Sequence, residues 1–221
     1  MCGRFVLDED GKVLLDKFKF RRLPERLRPR YNIAPTQLVL TVRDEPEQRD
    51  AAMLKWGLVP SWAKDPKIGN SMINARSETA ATKPSFRAAF KSRRCIVPAS
   101  GYYEWKRDGK VKVPYFIRLA SGEPMGIAGL WESWRPREGG EAIETCTLLT
   151  TGPNELTAAI HDRMPVILRE EDYDDWLDSG ADREFLQSLM RPYAGDEMEA
   201  YAVSARVNSP RNDDEECIKA V

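Results

Sequence analysis

Apolar positions along the chain fall mostly in short runs cut by turn residues, and few stretches carry a helical repeat. Leu38–Arg43 and Ala51–Val59 read as two strands joined by the polar turn Asp44–Asp50. Cys95–Val97 and Tyr102–Lys106 follow as strands, and the second pairs with Val113–Leu119 across Asp108-Gly109, a dipeptide suited to a tight hairpin. Met125–Trp131 and Thr145–Thr151 are apolar enough to be buried strands. Val166–Leu168 and Met198–Val203 are two further, shorter ones. Helical spacing is confined to Lys12–Leu27, Pro84–Lys91, Pro153–Ile160, Glu170–Leu177 and Asp182–Met190. Pro29–Pro35 and Pro60–Asn70 read as loops, the first made rigid by its prolines. Strands outnumber helices and arrive in adjacent pairs, without βαβ alternation. That predicts an α+β fold with a mostly antiparallel sheet or barrel core flanked by short helices.

With 221 residues the chain suits one domain. The pattern places it at 1–205, followed by a polar, flexible tail at 206–221 rich in Asn, Ser, Pro and acidic residues. The 34 basic and 35 acidic side chains nearly cancel, so no global attraction to nucleic acid follows, although a local basic patch remains compatible with that sum. Cys2, Cys95, Cys146 and Cys217 show no metal-ligand spacing and no signal peptide precedes them. They read as reduced thiols of a cytoplasmic protein with no metal and no cofactor. No apolar run reaches the length of a membrane span.

The chemistry-bearing candidates are few. Cys2 directly follows the initiator methionine. Removal of Met1 would leave an α-amine, with a reference pKa of about 7.7–8.0, and a thiol, at about 8.5, on one residue. Two nucleophiles two carbons apart can close a five-membered ring on an aldehyde carbon, which an internal cysteine cannot do. The competing reading is an incidental residue at a frayed terminus. His161, in Ile160-His161-Asp162-Arg163-Met164-Pro165, is the only histidine, so any imidazole chemistry must use it. Glu104 sits between aromatics in Gly101-Tyr102-Tyr103-Glu104-Trp105. By strand alternation it shares a face with Tyr102, and Tyr103 shares the other with Trp105. If the Glu104 face is a pocket, burial raises the carboxyl and suits acid/base work; otherwise it is an ordinary solvent-facing glutamate. Asn74 can orient a neighbour through its amide or cap a turn. Arg76 and Arg163 can grip phosphate or form surface ion pairs. Trp62 can stack a base or plug the core.

Taken in order, Met1-Cys2-Gly3-Arg4-Phe5, Tyr31-Asn32-Ile33-Ala34-Pro35, Trp56-Gly57-Leu58-Val59-Pro60-Ser61-Trp62, Ile73-Asn74-Ala75-Arg76-Ser77-Glu78-Thr79, Gly101-Tyr102-Tyr103-Glu104-Trp105 and Ile160-His161-Asp162-Arg163-Met164-Pro165 resemble the SRAP (SOS response-associated peptidase) family, proteins that process abasic sites in DNA. The resemblance implies that Cys2 crosslinks to an abasic site in single-stranded DNA through a Schiff base that closes to a thiazolidine. It implies that Glu104 moves protons and helps open the sugar, that His161 works at the sugar hydroxyl, and that Asn74 positions the amine. It also implies phosphate contacts from Arg4, Arg76 and Arg163 and base contacts from Pro35 and Trp62. The expected partner is single-stranded DNA bearing abasic sites, bound by a monomer, with lyase and autopeptidase activity as side chemistries. The rival chemistry for the same first residues is an N-terminal-nucleophile cysteine hydrolase of the amidotransferase kind.

Overall fold

The computed structural model describes residues 2–25, 27–44 and 48–221. Met1 and the middle of the Asp44–Asp50 turn lie outside the described residues. The strands are β1 (Phe5–Leu7), β2 (Arg30–Ile33), β3 (Leu38–Arg43), β4 (Asp50–Trp56), β5 (Asn74–Arg76), β6 (Arg94–Ala99), β7 (Gly101–Asp108), β8 (Val111–Leu119), β9 (Met125–Trp134), β10 (Ile143–Thr151), β11 (Met164–Pro165), β12 (Ile167–Leu168) and β13 (Met198–Ala202). The helices are short: α1 (Gly11–Phe18), α2 (Ser77–Ala80), α3 (Arg87–Ser92), α4 (Tyr173–Leu177) and α5 (Arg183–Leu189). Among the described residues, no helix is long and apolar enough to cross a membrane.

The strands form two sheets. In the larger, the order β10-β4-β3-β6-β9 closes on itself because β9 also pairs with β10, giving a small barrel. Most of its pairings are antiparallel; β4 and β5 lie parallel to β10. The second sheet has the order β13-β8-β7-β1-β2. The chain changes sheet between β6 and β7. Gly101 permits this, since a Cβ there would meet the Phe116 ring at 2.4 Å and the Ile117 carbonyl at 2.7 Å. The α+β class and the β7–β8 hairpin stand as the sequence predicts, with Tyr102 opposite Ile117 and Glu104 opposite Tyr115.

The second sheet is covered on both faces. Phe5, Tyr102 and Ile117 belong to the main core. Val6, Tyr103 and Phe116 face a second cluster closed by Val203, Val207 and Cys217. This second cluster corrects the expectation of a mobile tail over 206–221. The segment's polar residues serve as partners for the sheet: Asn32 Nδ2 donates to the carbonyls of Val207, Ser209 and Asn212. The Asp213 carboxylate pairs with Arg30 and accepts from the N–H groups of Tyr31 and Asn32. A low apolar content had suggested disorder, but two buried side chains, Val207 and Cys217, and a set of matched hydrogen bonds suffice to seat it.

Three other expectations need correction. The stretch Pro29–Pro35 contains β2, because the prolines bracket the strand without entering it, and Asp213 satisfies the edge N–H groups that would otherwise face solvent. The helix expected over Lys12–Leu27 ends at Phe18. Lys19 turns left-handed at φ 54°, its N–H donates to Leu15 O, and Arg49 donates to the carbonyl of Phe18. Phe20 then leaves the helical path to enter the core. The helix expected over Pro153–Ile160 is only a 3-10 turn at Thr157–Ala159. Asn154 Oδ1 accepts from the N–H and hydroxyl of Thr157 and its Nδ2 donates to Tyr193 O, so the side chain ties the loop instead of starting a longer helix.

Candidate active site

The candidate residues meet where the two sheets join. β1 pairs with β7 through Phe5↔Tyr102 and Val6↔Gly101, and Tyr103 N–H donates to Arg4 O. That ladder carries the first residues alongside β7 and draws Cys2 towards Glu104. From the barrel side, β5 is clamped to β10 by Leu148↔Asn74 and Thr150↔Arg76. Asn74 Nδ2 then donates to the Cys2 carbonyl at 2.7 Å. The loop after β10 delivers His161, whose Nε2 lies 3.9 Å from Glu104 Oε2. Four of the sequence-predicted residues, Cys2, Asn74, Glu104 and His161, are thus one cluster drawn from four chain segments.

The cluster is dry on its inner side. Cys2 is fully buried, and burial, reinforced by the Glu104 carboxylate, pushes its thiol far above the ordinary cysteine value. Glu104 is 3% exposed, and burial raises its carboxyl as well, with the nearby His161 acting in the opposite direction. Asn74 Oδ1 is buried and has no hydrogen-bond partner among the described residues. The His161 Nδ1 has two neighbours, accepting from Arg163 N–H at 3.1 Å and lying 2.9 Å from Asp162 Oδ1. Outside, the cluster opens into a cleft of about 430 Å³ lined by Glu104, Trp105, Arg107, Lys112, His161 and Asn208.

The arginines divide. Arg163 makes a bidentate pair with Glu78, holding that carboxyl below its ordinary value, and also donates to the carbonyl of Thr150 at 2.6 Å. Arg76, exposed, stands opposite the same Thr150, so the two guanidinium-bearing residues flank one strand position. Arg4 instead turns inward: Nη1 donates to Asn32 Oδ1 and to Val207 O, each at 2.7 Å, and the guanidinium stacks 5.7 Å from the Trp105 ring centroid. Trp62 and Pro35 lie on flanking loops. Trp62 is 54% exposed, with its indole N–H donating to Pro84 O. Pro35 is in the β2–β3 turn, which is tied to the site through Trp56: Thr36 N–H donates to Trp56 O and the Trp56 indole donates to Ile73 O.

Sequence reasoning passed over two contributors. The Tyr102 hydroxyl is buried, lacks a hydrogen-bond partner among the described residues and interacts electrostatically with Cys2 and Glu104; its shared face with Glu104 was the available signal. Asn208 accepts from the Trp105 indole at 2.7 Å and forms a wall of the cleft. Nothing in its local sequence marks it, since its place depends on the packing of the C-terminal segment.

An α+β barrel-and-sheet fold thus carries a buried residue-2 thiol beside a raised carboxyl and an imidazole, a candidate site on its first strand and the strands that hold it. The chain belongs to the SRAP family: the family model described as SOS response associated peptidase (SRAP) matches residues 1–210. It is 49% identical over 224 residues to abasic site processing protein YoqW of Bacillus subtilis (strain 168), covering 100% of both chains. It is 35% identical over 182 residues to abasic site processing protein YedK of Escherichia coli (strain K12), covering 80% of this chain and 79% of the relative. Abasic site processing protein HMCES of Gallus gallus is 34% identical over 262 residues, with 99% and 77% covered. A solved structure from Bacteroides thetaiotaomicron matches at a TM-score of 0.92 and 26% identity over 100% of each chain.

Proposed function

We propose that this protein acts on abasic sites in DNA, capturing them covalently in single strands through the α-amine and thiol that Cys2 presents once Met1 is removed. The observation that carries the reading is the seating of Cys2, gripped by Asn74 at its carbonyl, with a raised Glu104 acting on its thiol and itself neighbouring His161. The full-length likeness to a protein named for abasic site processing supports the substrate class.

An abasic deoxyribose opens to an aldehyde. The neutral Cys2 amine adds to the aldehyde carbon and gives a carbinolamine. Loss of its hydroxyl as water needs a proton, and burial makes Glu104 an acid that keeps its proton to higher pH than an ordinary glutamate. The resulting iminium accepts the Cys2 sulfur on the same carbon: the S–C bond forms, the π pair returns to nitrogen, and the thiol proton passes to the Glu104 carboxylate left by the first step. Water is the one product lost, and the ring is a thiazolidine. Burial keeps the thiol protonated, so the amine attacks first and the thiol closes second. Intramolecular closure of this kind has an effective molarity of about 10⁵–10⁸ M, which makes the ring far harder to open than the imine.

Asn74 Oδ1 is an acceptor for the freed amine or the sugar hydroxyl, and His161 relays protons between Glu104 and that hydroxyl. Phosphate competes with Glu78 for Arg163 and meets Arg76 beside it. Arg4, held by Asn32 and Val207, acts at the phosphates through what remains of its donor capacity. Trp62 and Pro35 abut the flanking bases. Iminium that escapes ring closure can lose the 3′ phosphate by β-elimination, a lyase side reaction, and autopeptidase removal of Met1 would supply the amine.

The test is an SDS-resistant adduct between protein and abasic single-stranded DNA. Wild type lacking Met1 forms it, whereas Cys2→Ala forms no heat-stable adduct. A heat-stable adduct from Cys2→Ala, or from protein whose Met1 is retained, would sink the ring mechanism.

A further inference from the structure

The turn before α3 and α3 itself carry Lys83, Arg87 and Lys91, each four residues after the last. Arg87 N–H donates to Lys83 O at 2.9 Å, so a helical turn joins Lys83 to α3. Residues at this spacing share one face, about 6 Å apart along the axis. All three are exposed, and none has an ion pair among the described residues. Lys83 lies 5.4 Å from the centroid of the Phe86 ring, which fixes the start of the stripe. Alongside runs a groove of about 620 Å³ with Phe90, Ala181 and Leu186 in its lining and Arg183 as a further cation. The neighbouring carboxylates of Asp178 and Asp182 are turned onto backbone N–H groups of Gly180 and Glu184.

The stripe is continuous with the site. Asn74 and Arg76 on β5 lead directly into α2, and Lys83 N–H donates to Thr79 O at 2.8 Å. The exposed Trp62, whose indole donates to Pro84 O, stands at the head of the stripe. A row of free cations beside an apolar groove, opened by an aromatic platform, has the chemistry of a single-strand track. In a chain with formal net charge -1, this concentration of positive charge is local.

We propose that the DNA strand leaving the abasic nucleotide past Trp62 continues along α3, with Lys83, Arg87 and Lys91 neutralising successive phosphates and the groove receiving a base. The proposal rests on the abasic-site reading above for where the strand starts. It makes affinity depend on strand length, while capture chemistry does not.

The experiment compares wild type with the triple variant Lys83→Ala, Arg87→Ala, Lys91→Ala on single strands of about 20 and about 5 nucleotides, each with a central abasic position. On the longer strand, carrying an unreactive tetrahydrofuran analogue, the variant is expected to bind at least about tenfold more weakly at low salt. Its log K against log salt slope should be shallower by about 2, since each phosphate contact on a single strand contributes about 0.7. On the short reactive strand the variant captures at the wild-type rate. Unchanged affinity on the long strand, an unchanged salt slope, or an equal loss on both lengths overturns the track. Wild type that binds the long strand with the predicted slope difference but captures no abasic strand would leave the track standing and sink the abasic-site reading instead.

Discussion

The two faces of β7 carry similar residues and treat them in opposite ways. On one face, Tyr103 donates its hydroxyl to Tyr31 O at 2.7 Å and Trp105 donates its indole N–H to Asn208. Both polar tips have a partner, and the second core cluster covers Tyr103 while Trp105 reaches the cleft. On the other, the Tyr102 hydroxyl is buried with no hydrogen-bond partner among the described residues, and Glu104 is buried with its carboxyl raised. An unmade buried hydrogen bond costs about 1–3 kcal/mol, so a fold that tolerates one beside a desolvated carboxyl gives up stability there. The satisfied face is architecture. The other face holds the unpartnered Tyr102 hydroxyl beside the buried Glu104, and the function proposed above makes it the side that meets substrate.

The strongest way to break this comparison is Glu104→Gln. It should slow capture by about 10²-fold or more while leaving DNA affinity near wild type, as expected for loss of a proton donor and acceptor. Stability should move the other way. Burial raises the carboxyl, so the folded chain holds that proton more tightly than the unfolded chain does. Stability from this group is full below the unfolded glutamate value near pH 4.3 and is lost as pH rises through the raised folded value. Above that window the variant should melt above wild type, with the difference vanishing near pH 4. A variant that melts below wild type at neutral pH would make Glu104 a structural residue.

The tyrosine pair sharpens the contrast at smaller scale. Tyr103→Phe should lose about 1 kcal/mol of stability with capture unchanged, because only an internal hydrogen bond is deleted. Tyr102→Phe should lose no stability and slow capture several-fold. Calorimetry and single-turnover capture on both variants decide it, and the reverse pattern would erase the distinction between the faces. A modest effect on both readouts belongs to Asn208→Ala. It removes the acceptor of the Trp105 indole at a cost of about 0.5–1.5 kcal/mol, and capture by a cleft with a loosened wall should fall by no more than about twofold.

The sequence made much of this legible. Alternation in Tyr102–Lys106 assigned the two faces of β7 correctly, and the Asp108-Gly109 turn fixed the hairpin, because both signals are local. Cys2, Asn74, Glu104 and His161 stood out as chemistry-bearing residues, yet local pattern could not say that four distant segments converge. Their meeting depends on the β1–β7 ladder and on the parallel β5–β10 pair, whose register is a property of the assembled sheets. The segment 206–221 was misread for a related reason. Its polar residues look like those of a solvated tail, but Asn32 and Asp213 turn them into a lining for β2. Arg4 looked like a free phosphate ligand and is engaged by that same segment.

The complete burial of Cys2 also sets a clock. The strand that carries it needs β7, nearly a hundred residues later in the chain, and Arg4 needs Val207 beyond that. At about 5–20 residues per second, a ribosome takes roughly 10–45 s to make a chain of this length. For most of that interval the first residues are outside and unpaired. An aminopeptidase acting from without meets the first residues unpaired during that interval and finds Cys2 buried afterwards. Under the capture proposed above, an external enzyme would set each molecule's competence during its own synthesis, and self-cleavage would set it after folding.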